Sequence, residues 1–124
     1  MEIAIFNTDL YKDTQRPKDK FERAVNFAID NELVKKTDAF NIIQDVNKVP
    51  AGHEYRFFFR ARGFQPKTIN EYNVSNVLLI FSETNDFDMA GLKNWETGQF
   101  GQEYFHNFES YSTGEIDIYL VKKN

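Results

Sequence analysis

The chain of 124 residues contains no cysteine, two histidines and a single tryptophan. Without cysteine there is no disulfide framework, no thiolate nucleophile and no cysteine-bound zinc, and two histidines leave little for another metal site. The longest apolar run, Val77–Phe81, is far too short to span a membrane. The first residues have neither the basic nor the apolar region of a signal peptide. We therefore expect a soluble, cytoplasmic protein that binds no membrane, no metal and no cofactor.

Aromatic side chains are abundant, with 13 phenylalanines and six tyrosines. Hydrophobic residues make up 41% of the chain, which is enough for a packed interior and excludes a disordered protein. The length is that of one domain. We expect a single α+β domain over residues 1–124.

The net charge of −4 comes from the second half of the chain. Residues 1–62 contain 11 basic and 10 acidic residues, whereas residues 63–124 contain 4 and 9. Between Glu83 and Asp117, eight carboxylates accompany one lysine, Lys93. Such a field attracts cations and repels phosphates, which disfavours nucleic-acid binding. An ordinary solvated surface has the same composition, and that alternative stays open.

Apolar periodicity in the first half predicts a strand, a helix and two more strands. The segment after the Val49–Pro50 turn alternates most regularly, which predicts a strand with Tyr55, Phe57 and Phe59 in the core. The predicted elements are a strand at Glu2–Phe6, a helix at Pro17–Lys36, and strands at Phe40–Val46 and His53–Ala61.

The second half repeats this order after a connection at residues 63–73. Val77–Phe81 lacks alternation, as expected of a central strand buried on both faces. Gly91 and Gly98 predict a short or irregular helix. The elements are strands at Val77–Phe81, Tyr104–Tyr111 and Glu115–Val121, and a helix at Asp86–Gly98. Together they predict duplicated strand-helix-strand-strand units, a mostly antiparallel sheet and two helices on one face.

The last two predicted strands carry the motifs Phe108-Glu109-Ser110-Tyr111 and Glu115-Ile116-Asp117-Ile118-Tyr119-Leu120-Val121. With the doubled element order, they resemble the gyrase-inhibitor-like (GyrI-like) family. Its closing hairpin often reads Phe-Glu-x-Tyr and then, after a loop, an acidic residue with Ile-Asp-Ile-Tyr. The resemblance implies an effector-binding domain that holds a small, often cationic molecule in a cleft between its halves. It also implies that Glu109 meets the charge of the ligand.

Aromatic residues complete a candidate ligand site around Glu109. A carboxylate among aromatic rings attracts a cation by its own charge and through the ring quadrupoles. Trp95, Tyr111 and Tyr119 are the candidate rings, whereas strand alternation turns Phe108 to the other face. The alternative is a solvated strand carboxylate beside core aromatic residues.

Groups suited to catalysis are scarce. The sequence has no Gly-x-Ser-x-Gly motif and no glycine-rich phosphate loop. His53 and His106 have no evident nucleophile to activate. We expect no catalytic residues and a function other than that of an enzyme.

A second candidate surface is the basic face of the predicted strand at His53–Ala61. Arg56, Phe58 and Arg60 alternate there, and arginine with aromatic residues is typical of interface centres. The alternative is the solvent face of an edge strand.

Two functional hypotheses follow from these surfaces. The chain is a stand-alone domain that binds a small cationic or aromatic molecule, or it is a small interaction module, such as a phage-encoded inhibitor or immunity protein. The module would meet a basic protein partner through the acidic C-terminal surface, or a partner through the Arg56/Phe58/Arg60 face.

Overall fold

The computed structural model describes residues 18–45, 53–83, 89 and 95–123. Within these residues the α-helices are α1 (Lys18–Asp30), α2 (His53–Ala61) and α3 (Trp95–Phe100), and the strands are β1 (Phe40–Asp45), β2 (Val77–Ser82), β3 (Glu109–Ser112) and β4 (Asp117–Lys122). Two 3₁₀ turns lie at Tyr72–Val74 and Gln102–His106. The chain has an α+β fold, as the sequence predicts. The predicted strand at Glu2–Phe6 lies outside the described residues.

The four strands form one mixed sheet in the order β1-β2-β4-β3. β1 runs parallel to β2, with Phe40 opposite Val77, whereas β2 pairs antiparallel with β4 and β4 pairs antiparallel with β3. The sheet is therefore mostly antiparallel, as predicted. Every residue of β2 is buried, which confirms the prediction of a central strand from its unbroken apolar run.

Helices and turns cover both faces of this sheet. On the first, here called the α1/α2 face, strand residues such as Ile42, Leu79 and Phe81 pack against α1 and α2. On the opposite α3 face, Leu78 and Ile80 belong to a cluster completed by α3 and the two 3₁₀ turns. The prediction that the helices at Pro17–Lys36 and Asp86–Gly98 share one face is wrong for their described parts, because α3 buries Phe100 against the opposite side.

The segment His53–Ala61 is a helix, so the prediction of a strand there is wrong. Tyr55 and Phe59 are fully buried four residues apart, which is the spacing of one helical face. Phe57 points away from that face and is 62% exposed, contrary to its predicted place in the core. The first predicted unit therefore does not end in a strand, and this helix instead connects the parallel strands β1 and β2.

Left-handed residues end both long helices. After α2, Gly63 has φ +86° and donates to Arg60 O at 2.9 Å, while Phe64 N donates to Phe59 O at 2.9 Å. After α1, Glu32 has φ 56° and its amide donates to Ile29 O at 3.0 Å. The amide of the next residue makes the second hydrogen bond, which corresponds to that of Phe64 N after α2. This double bond pattern is the Schellman motif. It ends α1 at Asp30, before the predicted limit at Lys36.

The remaining boundaries differ modestly from the prediction. The described part of the Asp86–Gly98 helix begins at Trp95 and continues to Phe100, with Gly98 exposed in its interior. The strand predicted at Tyr104–Tyr111 begins only at Glu109, because a 3₁₀ turn occupies the preceding residues. The predicted hairpin between β3 and β4 is confirmed. Within the described residues, no helix combines the length and apolar character needed to cross a bilayer.

Candidate functional site

The carboxyl ends of β1 and β2 are the place where this topology favours a ligand. The chain leaves β1 for α2 on one face of the sheet and leaves β2 toward α3 on the other. In open sheets, adjacent parallel strands whose connections go to opposite faces leave a crevice beyond their carboxyl ends. Lys20 in the first turn of α1 and Tyr55 in the first turn of α2 both reach this end of the sheet from the α1/α2 face.

Glu83 lies immediately beyond β2, at the carboxyl ends of the two parallel strands. Alternation places Phe81 and Glu83 on the α1/α2 face, and the pairing of Gln44 with Phe81 brings Gln44 beside them. Glu83 Oε2 accepts hydrogen bonds from Gln44 Nε2 at 3.0 Å and from the Tyr55 hydroxyl at 3.3 Å. Its Oε1 pairs with Lys20 Nζ at 3.3 Å, and the Glu83 side chain is only 12% exposed. A nearly buried carboxylate is thus held by three different elements.

Aromatic rings pack around Tyr55, the hydrogen-bond donor to this carboxylate. Tyr55 stacks on Phe81 with ring centroids 4.1 Å apart, and Phe21 meets Tyr55 edge-on at 5.0 Å. The Lys20 ammonium lies 5.5 Å from the centroid of the Phe21 ring, within the range of a cation–π contact. A carboxylate and an aromatic ring therefore hold the same ammonium group.

The hydroxyl of Tyr55 acts as a fixed donor to Glu83. Burial, followed by the negative charge of Glu83 and their hydrogen bond, raises the pKa of Tyr55 far above its ordinary value. The hydroxyl consequently keeps its proton at neutral pH. Both flanking helices begin at this end of the sheet.

The arrangement suits recognition of a positive charge better than bond-making. Glu83 offers a charged acceptor, Gln44 and Tyr55 orient it, and Phe21 supplies a ring face. The described ranges contain no group of three histidine, aspartate or glutamate side chains that could hold a metal ion. His53, in the first turn of α2, is exposed.

The residues predicted to surround Glu109 lie on both faces of the sheet. Glu109 and Tyr111 face the α1/α2 side, where the Tyr111 hydroxyl donates to Glu109 Oε1 at 2.6 Å and its ring lies 6.2 Å from that of Phe27. That hydrogen bond raises the pKa of Tyr111. Glu109 itself is exposed. The structure thus brings Glu109 and Tyr111 together in solvent.

Trp95 and Tyr119 belong to the opposite α3 face. Trp95 is 55% exposed and meets the buried Tyr72 edge-on at 6.3 Å. Tyr119 packs beside Phe108, with centroids 5.9 Å apart. The sheet therefore separates these two rings from Glu109, and the four predicted ligand residues do not line one cleft.

The predicted partner face at Arg56, Phe58 and Arg60 is also divided. Arg56 is 2% exposed and donates to Asn41 Oδ1 at 2.6 Å and to Ile42 O at 3.1 Å, so it is a buried structural residue and not a contact residue. Phe58 is half-buried against the core, whereas Arg60 is exposed. The helical period separates residues that a strand would have aligned.

Glu83 is the site residue that the sequence prediction missed. The sequence shows it only as one of the acidic residues of the second half. One signal in the sequence could identify it. Glu83 directly follows a buried strand, and alternation places it on the same face as Phe81. Polar residues at such a strand end lie close to the ends of neighbouring strands. Lys20 and Tyr55 carried no local signal, since their contacts with Glu83 join distant parts of the chain.

Comparisons with protein-family models, with curated proteins and with solved structures find no match to this chain. The GyrI-like resemblance therefore stays a prediction. The functional argument rests on the geometry of the described residues.

Proposed function

We propose that this chain is a non-catalytic binding domain for a small organic cation, with Glu83 as the counter-ion. The observation that carries the proposal is the 12% exposed Glu83 carboxylate at the carboxyl ends of the parallel strands, already paired with an ammonium group. The proposal keeps the ligand class implied by the GyrI-like resemblance. It moves the counter-ion from Glu109 to Glu83.

The Lys20 ammonium serves as a tethered stand-in for the ligand. It lies 3.3 Å from Glu83 Oε1 and 5.5 Å from the centroid of Phe21, contacts that the ammonium of an arylalkylamine can reproduce. The Lys20 side chain is 33% exposed and can turn out into solvent when a ligand arrives. Gln44 and Tyr55 keep Glu83 in place during the exchange, so the site needs no rearrangement of the backbone.

The proposal is tested by titrating benzylamine into the protein and measuring heat by calorimetry, with benzyl alcohol as the neutral analogue. Glu83→Gln preserves the shape and removes the charge, so we expect binding to weaken about tenfold or more, as for loss of a charge-assisted contact. Glu109→Gln is the matched control and leaves the affinity unchanged. Trp95 emission also stays unchanged, since Trp95 packs on the opposite face.

Lys20→Met should change the affinity for benzylamine in the opposite direction. Removal of the tethered ammonium frees Glu83, and we expect benzylamine to bind about two- to fivefold more tightly, the range typical of a partly exposed ion pair. The exposed Lys35→Met is the control for the lost charge. Absence of benzylamine binding by the parent and by Lys20→Met, or equal effects of the two glutamine variants, would refute the proposal.

A second candidate function is the protein-interaction module. The observation that favours it is that Phe57 is 62% exposed and lies on the same helix as the exposed Arg60. Phe57 contacts Phe58 edge-on at 5.1 Å, so the exposed ring rests on a half-buried one. An exposed aromatic residue beside arginine is typical of interface centres. If the cation-binding test fails, this surface is the better account.

A further inference from the structure

One long side of the sheet ends at β3, which pairs with β4 alone among the described strands. At the end of their hairpin, Thr113 N donates to Ile116 O at 3.0 Å. The backbone groups of an antiparallel strand point alternately to its two sides, so Tyr111 directs its N–H and C=O toward β4. Ser110 and Ser112 direct theirs away from the sheet. Within the part of the chain that the structure describes, no group outside the sheet makes a hydrogen bond to the backbone of these serines.

The strand at the other side of the sheet, β1, has its backbone bonded by groups that do not belong to another strand. Phe40 O accepts a hydrogen bond from Lys67 N at 2.8 Å. Ile42 O accepts from Arg56 Nη2 at 3.1 Å and from the Tyr72 hydroxyl at 2.6 Å. A further strand would have to displace these bonds, which leaves β3 as the more accessible of the two outer strands.

β3 also has few of the features that keep outer strands apart. Proline, lysine and β-bulges commonly prevent such strands from pairing with another molecule. The residues Glu109–Ser112 include neither proline nor lysine, and they pair with β4 in continuous register. The two residues whose backbone points outward are serines, whose short side chains let another strand approach.

We propose that two copies of this chain associate through β3, antiparallel and with Tyr111 on the two-fold axis. In this register Ser110 of each copy lies opposite Ser112 of the other, and the two residues exchange their outward N–H···O=C bonds. Other two-fold registers pair at most one of these serines with a residue of β3. The association joins the two sheets into one. It is separate from the proposed cation site, because it uses none of the residues that hold Glu83.

Aromatic side chains favour a second copy as the occupant of this strand. The register makes the two Tyr111 residues a directly opposed, non-hydrogen-bonded pair, the position in which cross-strand side chains lie closest. Each Tyr111 ring lies 6.2 Å from the ring of Phe27 in its own copy, so four rings meet at the two-fold axis on the α1/α2 face. Opposed aromatic residues stabilise strand pairing.

The charges on this side of the molecule are complementary in the same register. Glu109 of one copy lies opposite Thr113 of the other, beside the hairpin turn where Arg23 binds Glu115 at 2.7 Å. Arg23 uses Nε and Nη2 for that contact, and its Nη1 makes no hydrogen bond with any described residue. A carboxylate of one copy therefore approaches an available N–H group of the other, while the two Glu109 side chains stay apart.

Single-cysteine variants of the full chain test the register directly, because the chain has no cysteine of its own. Directly opposed Cβ atoms lie about 4.5–5.5 Å apart and diagonal ones about 7–8 Å, whereas a disulfide needs about 3.5–4.5 Å. Tyr111→Cys places its two sulfurs opposite each other, and Ser110→Cys places them diagonally. Under mild oxidation we expect Tyr111→Cys to form the cross-linked dimer about tenfold faster or more, measured on non-reducing gels.

Sedimentation equilibrium from micromolar to millimolar protein measures the association without a cross-link. The contact is short, so we expect a weak dimer that dissociates on dilution within this range. Ser110→Pro removes an N–H that bonds the second copy in the dimer and water in the monomer, and we expect it to weaken association about tenfold or more. Ser110→Thr keeps the N–H and is the matched control, with association unchanged.

Circular dichroism verifies that each variant is folded, and the cysteine comparison does not depend on the proline variant. The proposal is overturned if the parent stays monomeric at millimolar concentration, or if folded Ser110→Pro and Ser110→Thr associate equally. Equal rates of cross-linking for the two cysteine variants would also overturn it.

Discussion

Replacement of Arg56 by methionine tests the most unusual feature of the core, a guanidinium on α2 that is 2% exposed and lies against β1. Its nitrogens donate to Lys67 O at 2.5 Å, to Asn41 Oδ1 at 2.6 Å and to the Tyr72 hydroxyl at 3.0 Å, besides Ile42 O. Burial lowers the pKa of Arg56 and raises that of Tyr72 to about 12. These bonds tie α2 to β1 through Ile42 O and the Asn41 side chain, and to the segment before the first 3₁₀ turn through Lys67 O.

The expected loss follows from those acceptors. Arg56→Met removes the donor to Lys67 O, while Ile42 O keeps the Tyr72 hydroxyl at 2.6 Å and Asn41 Oδ1 keeps the Ile42 amide at 2.9 Å. A hydrogen bond from a charged group contributes about 1.5–3 kcal/mol, and a buried acceptor left alone costs about 1–3 kcal/mol. Because the contributions are not additive, we expect the free energy of unfolding to fall by about 3–5 kcal/mol in urea denaturation.

Arg60→Met on the same helix is the matched control. Arginine and methionine have similar helix propensity, and Arg60 is exposed, so its loss should stay within about 0.5 kcal/mol. Arg56→Lys keeps a charge but not the planar fork, and we expect an intermediate loss of about 2 kcal/mol. If the Arg56 and Arg60 methionine variants unfold at the same urea concentration, the role of Arg56 in tying α2 to β1 is refuted.

Two further predictions concern α2 and the helix ends, and both use urea denaturation. Phe59→Ala should lower the free energy of unfolding by about 3–5 kcal/mol, whereas Phe57→Ala should change it by less than about 1 kcal/mol; equal losses would contradict the helical assignment. Gly63→Ala should cost about 1–2 kcal/mol because alanine resists the positive φ of 86°, and Glu32→Gly, at φ 56°, should stabilise the chain by about 0.5–1 kcal/mol. A stabilising Gly63→Ala would show that the turn is not left-handed in solution.

The sequence predicts the sheet well where burial leaves a local trace. The apolar run Val77–Phe81 does not alternate with polar residues, which is the pattern expected of a strand that is covered on both faces. The β3–β4 hairpin was predictable because alternation resumes on both sides of a short polar turn. The parallel pairing of β1 with β2 has no comparable signal in the sequence, because it depends on recognising that α2 is a helix that connects the two strands.

The misassigned helix at His53–Ala61 shows the limit of periodicity. Three consecutive phenylalanines satisfy both a period of two and a period of 3.6, so Phe57–Phe59 does not distinguish the alternatives. The distinguishing signals lay at the ends. Glu54 in the first turn and Arg60 in the last complement a helix dipole, and Gly63 followed by Phe64 is the sequence of a helix C-terminus.

The candidate site was less predictable than the fold because its contacts are long-range. Gln44 and Tyr55 lie 39 and 28 positions from Glu83 in the sequence. The sequence predicts a carboxylate beside aromatic rings, but its local motif points to Glu109 and not to Glu83. The strand order decides which acidic residue lies beside the aromatic rings, and a short sequence motif does not reveal the strand order.

The strand order has a consequence for synthesis of the chain. β3 pairs only with β4 among the described strands, yet it precedes β4 in the sequence. As the polypeptide emerges from the ribosome, β3 therefore has no place in the sheet until β4 follows it, and the edge of β2 stays open for the same interval. The parallel β1–β2 unit can form earlier, with α2 between its strands. The nascent chain is then most exposed to wrong strand pairing from the emergence of β2 until β4 has emerged and paired with it.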